Sequence, residues 1–167
     1  MRALPTLLGA LVLIAGLVAL TRSHAPTVTP PETVTLEPLP TAAFRAVLVQ
    51  QLDGEVRTRE AELRAAEGAS ARLAATLRAL RSWLIQEGFW PPELGAPRVF
   101  WLAEGRAALN FPLGAAPPVA VSTEMLLLES IRQTAVRGGA RDVFVLVNGR
   151  VPPTFLGQVA LPGTLEE

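Results

Sequence analysis

The sequence predicts an α+β fold, because strand-like runs occur in pairs and the pairs alternate with two helical segments. The dipeptides Asp53-Gly54 and Glu104-Gly105 each separate two short segments with the length of strands, as in β-hairpins. Helical spacing of apolar residues follows Gly68 and Ser122. We therefore expect a small mixed sheet built from hairpins, with two helices packed on one face.

The first hairpin is predicted to begin with a strand at 44–50, the β-branched run FRAVLVQ. Asp53-Gly54 supplies the turn, and the return strand is expected at about 55–63. Its glutamate, arginine and alanine content also suits a helix, so the pattern leaves both interpretations open.

A helix is predicted to begin after Gly68, with Ser70 as its N-cap, and to end at Gly88 before two prolines. Its leucines are spaced by four, three and four residues, which places them on one buried stripe. This stripe consists of Leu73, Leu77, Leu80 and Leu84.

Two further strands are expected at 98–103 and 106–111, on either side of Glu104-Gly105. Ser122 or Thr123 is predicted to cap a second helix. The stripe predicted to be buried consists of Met125, Leu128, Ile131 and Ala135.

After the second helix, Gly138-Gly139 is a stop signal, and the apolar run 142–147 predicts a strand buried on both faces. Asn148-Gly149 is predicted to form a tight turn. A short final strand is expected near 155–159.

The N-terminal part of the chain divides into a predicted membrane anchor at 1–22 and an extended proline- and threonine-rich linker at 23–41. Positions 3–20 carry no charge, which is typical of a short signal-anchor helix. The domain at 42–167 is then expected outside the cytoplasm, held at the cytoplasmic membrane by a single span. The alternative is a secreted protein, released by cleavage after Ala25.

Composition argues against several classes of function. Lys and Arg number 15, as do Asp and Glu, so no net charge favours nucleic acid as a partner. Cysteine is absent, and the single histidine, His24, falls in the linker. No Cys-His or Ser-His catalytic pair and no metal or cofactor site is therefore predicted in the domain, and we expect a protein that is not an enzyme.

Carboxylate pairs are the remaining candidates for hydrolytic chemistry. Glu60 with Glu62 share one face if their segment is a strand, and Glu124 with Glu129 lie on one predicted helix. Solvated surface carboxylates are the more common interpretation of such spacing. For contact with a partner, the aromatic residues Phe89, Trp90 and Trp101 are the candidates, since aromatic rings serve both cores and interfaces.

Three segments resemble the GerMN domain, a sporulation and spore germination module of exported bacterial proteins. They are AALNF with Asn110, SIRQTAV with Thr134, and VLVNG with Asn148 and Gly149. The likeness is strongest over 105–161 and extends in order of elements to about 42–162. Asn148 stands where aspartate is usual in the family, and the exit from the first helix at Gly88 is longer.

This resemblance implies a non-enzymatic scaffold or assembly module of the bacterial cell envelope. Its implied partners are the membrane through the anchor, and envelope proteins or further copies of the chain. The alternatives are a module that binds peptidoglycan or another glycan and, less favoured, an accessory to cell-wall hydrolysis.

Overall fold

The structure, a computed structural model, describes residues 40–115 and 119–161. The predicted anchor at 1–22 lies outside the described residues, as does the predicted linker up to residue 39. The described residues belong to one compact unit. None of the helices in the described part of the chain is both long and apolar enough to cross a membrane.

The α+β class is confirmed for the described residues. In chain order the elements are β1 (Thr41–Leu52), β2 (Glu55–Ala66), α1 (Ala69–Gln86), β3 (Arg98–Trp101), β4 (Arg106–Phe111), α2 (Val121–Arg137) and β5 (Asp142–Val147). The strands form two sheets, β1-β2 and β3-β4-β5, so the prediction of a single sheet was wrong.

The β1-β2 hairpin is longer than predicted. The strands pair from Leu52 opposite Glu55 at the turn to Thr41 opposite Ala66 at the far end. The strand interpretation of the return segment is thus confirmed, because cross-strand pairing and packing on α1 outweigh the helix-favouring composition of β2.

The three-stranded sheet is mixed, since β4 pairs antiparallel with β3 and parallel with β5, and α2 is the crossover between the parallel strands. The bounds predicted for β5 are confirmed. Its expected burial on both faces is not: β5 is half-buried beyond Asp142, because it lies at an edge of this sheet.

The core lies between α1, α2 and the inner face of the three-stranded sheet. The leucine stripe predicted on α1 is confirmed, and all four of its members are buried. Ser70 does not cap α1, which begins one residue earlier, after Gly68. The Ser70 hydroxyl instead accepts a hydrogen bond from the backbone N–H of Trp101 at 3.1 Å, which ties α1 to β3.

The buried face of α2 was predicted only in part, since Ile131 and Ala135 are buried but the other two predicted members are not. Met125 is 56% exposed and Leu128 is only half-buried. The residues buried on α2 are Glu124, Leu127, Ser130, Ile131, Thr134 and Ala135. Three of these residues are polar. A stripe chosen by apolar residues alone therefore overlaps the buried face of the helix only in part. The helix starts at Val121 without a side-chain cap, so neither Ser122 nor Thr123 caps it.

The final strand expected at 155–159 is also absent. The segment is a loop closed by one bridge between Thr154 and Ala160 and by a hydrogen bond from the Phe155 N–H to the Val159 carbonyl. Phe155 turns into the core and meets the Phe111 ring edge-on, with 5.4 Å between ring centroids.

Candidate binding surfaces and the polar face of helix α2

Glu124 is buried completely and fixes the C-terminal loop to α2. Its Oε1 accepts hydrogen bonds from the backbone N–H groups of Leu156 at 2.7 Å and Val159 at 2.9 Å. Its Oε2 accepts a third from Gln158 at 3.0 Å. A carboxylate is well suited to this position, because it offers acceptors only and the loop presents several donors.

Two hydroxyl groups on α2 bind the outer edge of β1. The Thr134 Oγ1 accepts a hydrogen bond from the Val49 N–H at 2.9 Å and donates to the Val49 carbonyl at 3.4 Å. One turn earlier, the Ser130 Oγ accepts from the Gln51 N–H at 2.7 Å and donates to the Leu126 carbonyl. The helix thus occupies the position that a further strand would take beside β1.

The same contacts establish which groups of β2 face outward. Because the Val49 and Gln51 N–H groups point to α2, these residues form the non-hydrogen-bonded pairs of the hairpin, opposite Thr58 and Val56. By the alternation of an antiparallel ladder, Val56, Thr58, Glu60 and Glu62 direct their backbone groups away from β1. Among the described residues nothing pairs with this edge of β2.

A groove of about 280 Å³ lies between this part of β2 and the C-terminal half of α1. Leu48 and the methyl groups of Ala61 and Ala79 line it, together with the Trp83 side chain. Arg59 is also among the lining residues, directly opposite Leu48 in the register. Two of the lining residues are alanines, whose small side chains take up little of this space.

The carboxylates considered for catalysis do not come together as pairs around a site. Glu60 and Glu62 are exposed neighbours on one face of β2, as predicted, and Glu62 lies 3.8 Å from Arg45. Glu124 and Glu129 face different environments, since Glu124 binds the C-terminal loop and Glu129 accepts from Arg132 and Gln133. Within 40–115 and 119–161, no cluster of three or more acidic or histidine side chains could hold a metal ion.

The predicted aromatic contact surface requires correction. Trp90 is only 3% exposed, and its indole N–H donates to the Leu94 carbonyl at 2.7 Å, so it belongs to the core. Phe89 and Trp101 are half-buried against that core. Phe100 is the more exposed ring, with half of its surface accessible. Side chains alternate between the two faces of a strand, and the neighbours of Phe100 in β3 face inward, so Phe100 faces outward.

Phe100 belongs to a cross-strand row on the outer face of the three-stranded sheet, and it is the most exposed member of that row. It lies opposite Ala108, which lies opposite Phe144 on the next strand. The Arg106 guanidinium lies 5.8 Å from the centre of the Phe144 ring, within the range of a cation–π contact.

The positions that carry the family resemblance have structural roles. The Asn110 Oδ1 accepts from the Gly149 N–H at 2.8 Å, and the Asn148 side chain bonds both backbone groups of Leu113. Asn148 and Gly149 have φ values of 50° and 78°, so the tight turn predicted there is confirmed. Together these contacts join the ends of β4 and β5, while Thr134 holds β1.

No protein-family model, curated protein or solved structure matches the chain. The GerMN resemblance drawn from the order and type of residues therefore stays a prediction.

Proposed function

We propose that the chain is a non-enzymatic scaffold of the bacterial cell envelope that acts through protein contacts. The uncharged stretch at 3–20 supports a membrane anchor, and the proline-rich segment after it supports a spacer between the membrane and the domain. Tethering raises the local concentration of the domain, so weak contacts suffice to build an assembly.

One observation supports contact with protein above all: the two edges of the β1-β2 hairpin differ. The edge of β1 is covered by α2, whereas β2 offers a row of outward N–H and C=O groups beside a groove. Exposed strand edges pair readily with other chains unless charges or irregularities prevent it. The β2 strand carries charges of both signs, which disfavours indiscriminate pairing and is compatible with a selected partner.

Crosslinking in cells tests this proposal. A photoreactive residue placed at Thr58, on the outward edge, is expected to capture defined envelope proteins or other copies of the chain. The matched control is the same photoreactive residue at Arg78, which is exposed on α1. Capture at neither position, or equal capture of the same proteins at both, would contradict the proposal.

Binding to glycan is the second candidate, favoured by the half-exposed Phe100 ring, which lies in one cross-strand row with the half-buried Phe144. Aromatic faces stack on apolar faces of sugar rings, and two rings across one strand offer two such surfaces. Sedimentation of the protein with peptidoglycan tests this candidate. Saturable sedimentation that is lost in Phe100→Ala, with no crosslinks at Thr58, would replace the scaffold proposal.

The proposed topology has its own test. Protease added to spheroplasts is expected to digest the domain, because the proposal places it outside the cytoplasm. Protection of the domain would contradict that topology, and release of an intact soluble form starting near Pro26 would show a cleaved signal instead.

A further inference from the structure

The groove beside β2 has a size that suits one or two side chains. At about 280 Å³ it falls just below the range of about 300–1,000 Å³ that is typical of small-molecule sites. Its apolar part consists of Leu48, Ala61, Ala79 and the Trp83 side chain. A single aliphatic side chain could fill this part, provided that something holds its backbone next to β2.

The outward groups of β2 supply that backbone site. Thr58, Glu60 and Glu62 each direct an N–H and a C=O outward, at intervals of about 6.8 Å, twice the rise per residue of a strand. The main chain of an extended peptide has the same repeat, so it can satisfy these groups in succession. Glu60 lies in the wall of the groove, which brings the open edge and the apolar part of the groove together.

Charge determines which peptide fits. Arg59 shares the groove face with Leu48, since the two residues are directly opposite each other in the register. Arg59 is exposed and forms no ion pair within the described residues, whereas Arg57 lies 3.8 Å from Glu55. A carboxylate placed two residues from the buried apolar side chain would project to the same face and could reach Arg59.

We infer that β2 takes an extended acidic peptide segment of another protein as an added strand, with an apolar side chain in the groove and a carboxylate against Arg59. This inference rests on the proposed function and specifies the partner's chemistry. The helix α1 and the strand β2 form the two walls of the site, and Trp83 contributes the largest apolar side chain that lines it.

Peptide binding to the full-length chain in detergent micelles tests the inference. The probe is a short, fluorescent, amidated peptide of alternating threonine and valine with a central leucine and an aspartate two residues away. The control peptide carries lysine in place of that aspartate. We expect saturable anisotropy for the aspartate peptide and about tenfold weaker binding of the lysine peptide, the effect of one charged contact.

Two substitutions at one position separate backbone from side-chain recognition. Glu60→Pro removes an outward N–H and should weaken binding of the aspartate peptide by about tenfold or more. Glu60→Ala keeps the N–H and should bind like the native chain. If Glu60→Pro fails to fold, Ala79→Leu, which fills the groove, and Arg59→Glu, which should reverse the preference between the two peptides, test the same site.

The inference is overturned by absent or unsaturable binding, by equal binding of both peptides, or by a folded Glu60→Pro variant that binds normally. If the peptide does not bind but the Thr58 crosslinks in cells persist, the inference of an acidic peptide partner is wrong. The proposed scaffold function is not affected by that result. If the protein sediments with peptidoglycan and does not bind the peptide, both the inference and the proposed scaffold function are contradicted.

Discussion

The two edges of the β1-β2 hairpin present the same backbone chemistry but meet different surroundings. On β1, the Thr134 hydroxyl satisfies the outward N–H and C=O of Val49, and the Ser130 hydroxyl accepts from the outward N–H of Gln51. On β2 the corresponding groups face away from the domain. The comparison shows that a helix can cover a strand edge with a few correctly spaced hydroxyl groups. The fold therefore does not require an open edge, and the open edge of β2 is a candidate binding surface.

The largest effect on stability is expected from Glu124→Ala, which releases the C-terminal loop from α2, the helix that closes β1. Three backbone N–H groups would lose a buried charged acceptor, so the free energy of unfolding should fall by about 3 kcal/mol. Chemical denaturation measures this. Glu129→Ala is the control on the same helix, and a loss as large there would show that the effect is not specific to the buried carboxylate.

Thr134→Val should lower the free energy of unfolding by about 2 kcal/mol, because the near-isosteric valine leaves both backbone groups of Val49 without their partner. Thr123→Val, near the start of the same helix, is the matched control and should change stability little. Equal effects of the two substitutions in thermal denaturation would mean that the Thr134 hydroxyl does not close the edge of β1.

A smaller loss, about 1 kcal/mol, is expected from Ser130→Ala, since Gln51 is only partly buried and water can replace the lost acceptor. Because both hydroxyls act on one strand edge, Ser130→Ala and Thr134→Val should not be additive when combined. A double-mutant cycle measures the coupling, and strict additivity would contradict a shared role.

The smallest effect on stability is expected on the open side. Glu60→Pro removes an N–H that faces solvent, so the free energy of unfolding should change by less than about 1 kcal/mol. Arg59→Pro, one residue away, removes a hydrogen bond of the hairpin itself and should be several-fold more damaging. If both substitutions destabilise equally, the assigned direction of the β2 backbone groups is wrong.

Elements with a strong local pattern were predictable from the sequence. The leucine stripe of α1, the turns at Asp53-Gly54 and Asn148-Gly149, and the bounds of β5 each depend on a few neighbouring residues. The division into two sheets was not predictable, because pairing between β4 and β5 depends on contacts that are distant in sequence.

The polar face of α2 shows why the candidate sites were harder to predict. Glu124, Ser130 and Thr134 have the spacing of one helical face, but their burial follows from what lies opposite: a loop and a strand edge rich in unpaired N–H groups. Likewise, Trp90 stands between Phe89 and proline, a setting typical of an exposed loop, yet it packs beside Phe111 with 6.2 Å between ring centroids.

Hydrogen exchange at single backbone amides tests the difference between the two edges most directly. In the free protein we expect the N–H groups of Val49 and Gln51 to be strongly protected, and those of Thr58 and Glu60 to exchange quickly. Thr134→Val should speed exchange at Val49 while leaving Thr58 unchanged. Protection of Thr58 and Glu60, or rapid exchange at Val49 in the native chain, would contradict a hairpin closed on one edge and open on the other.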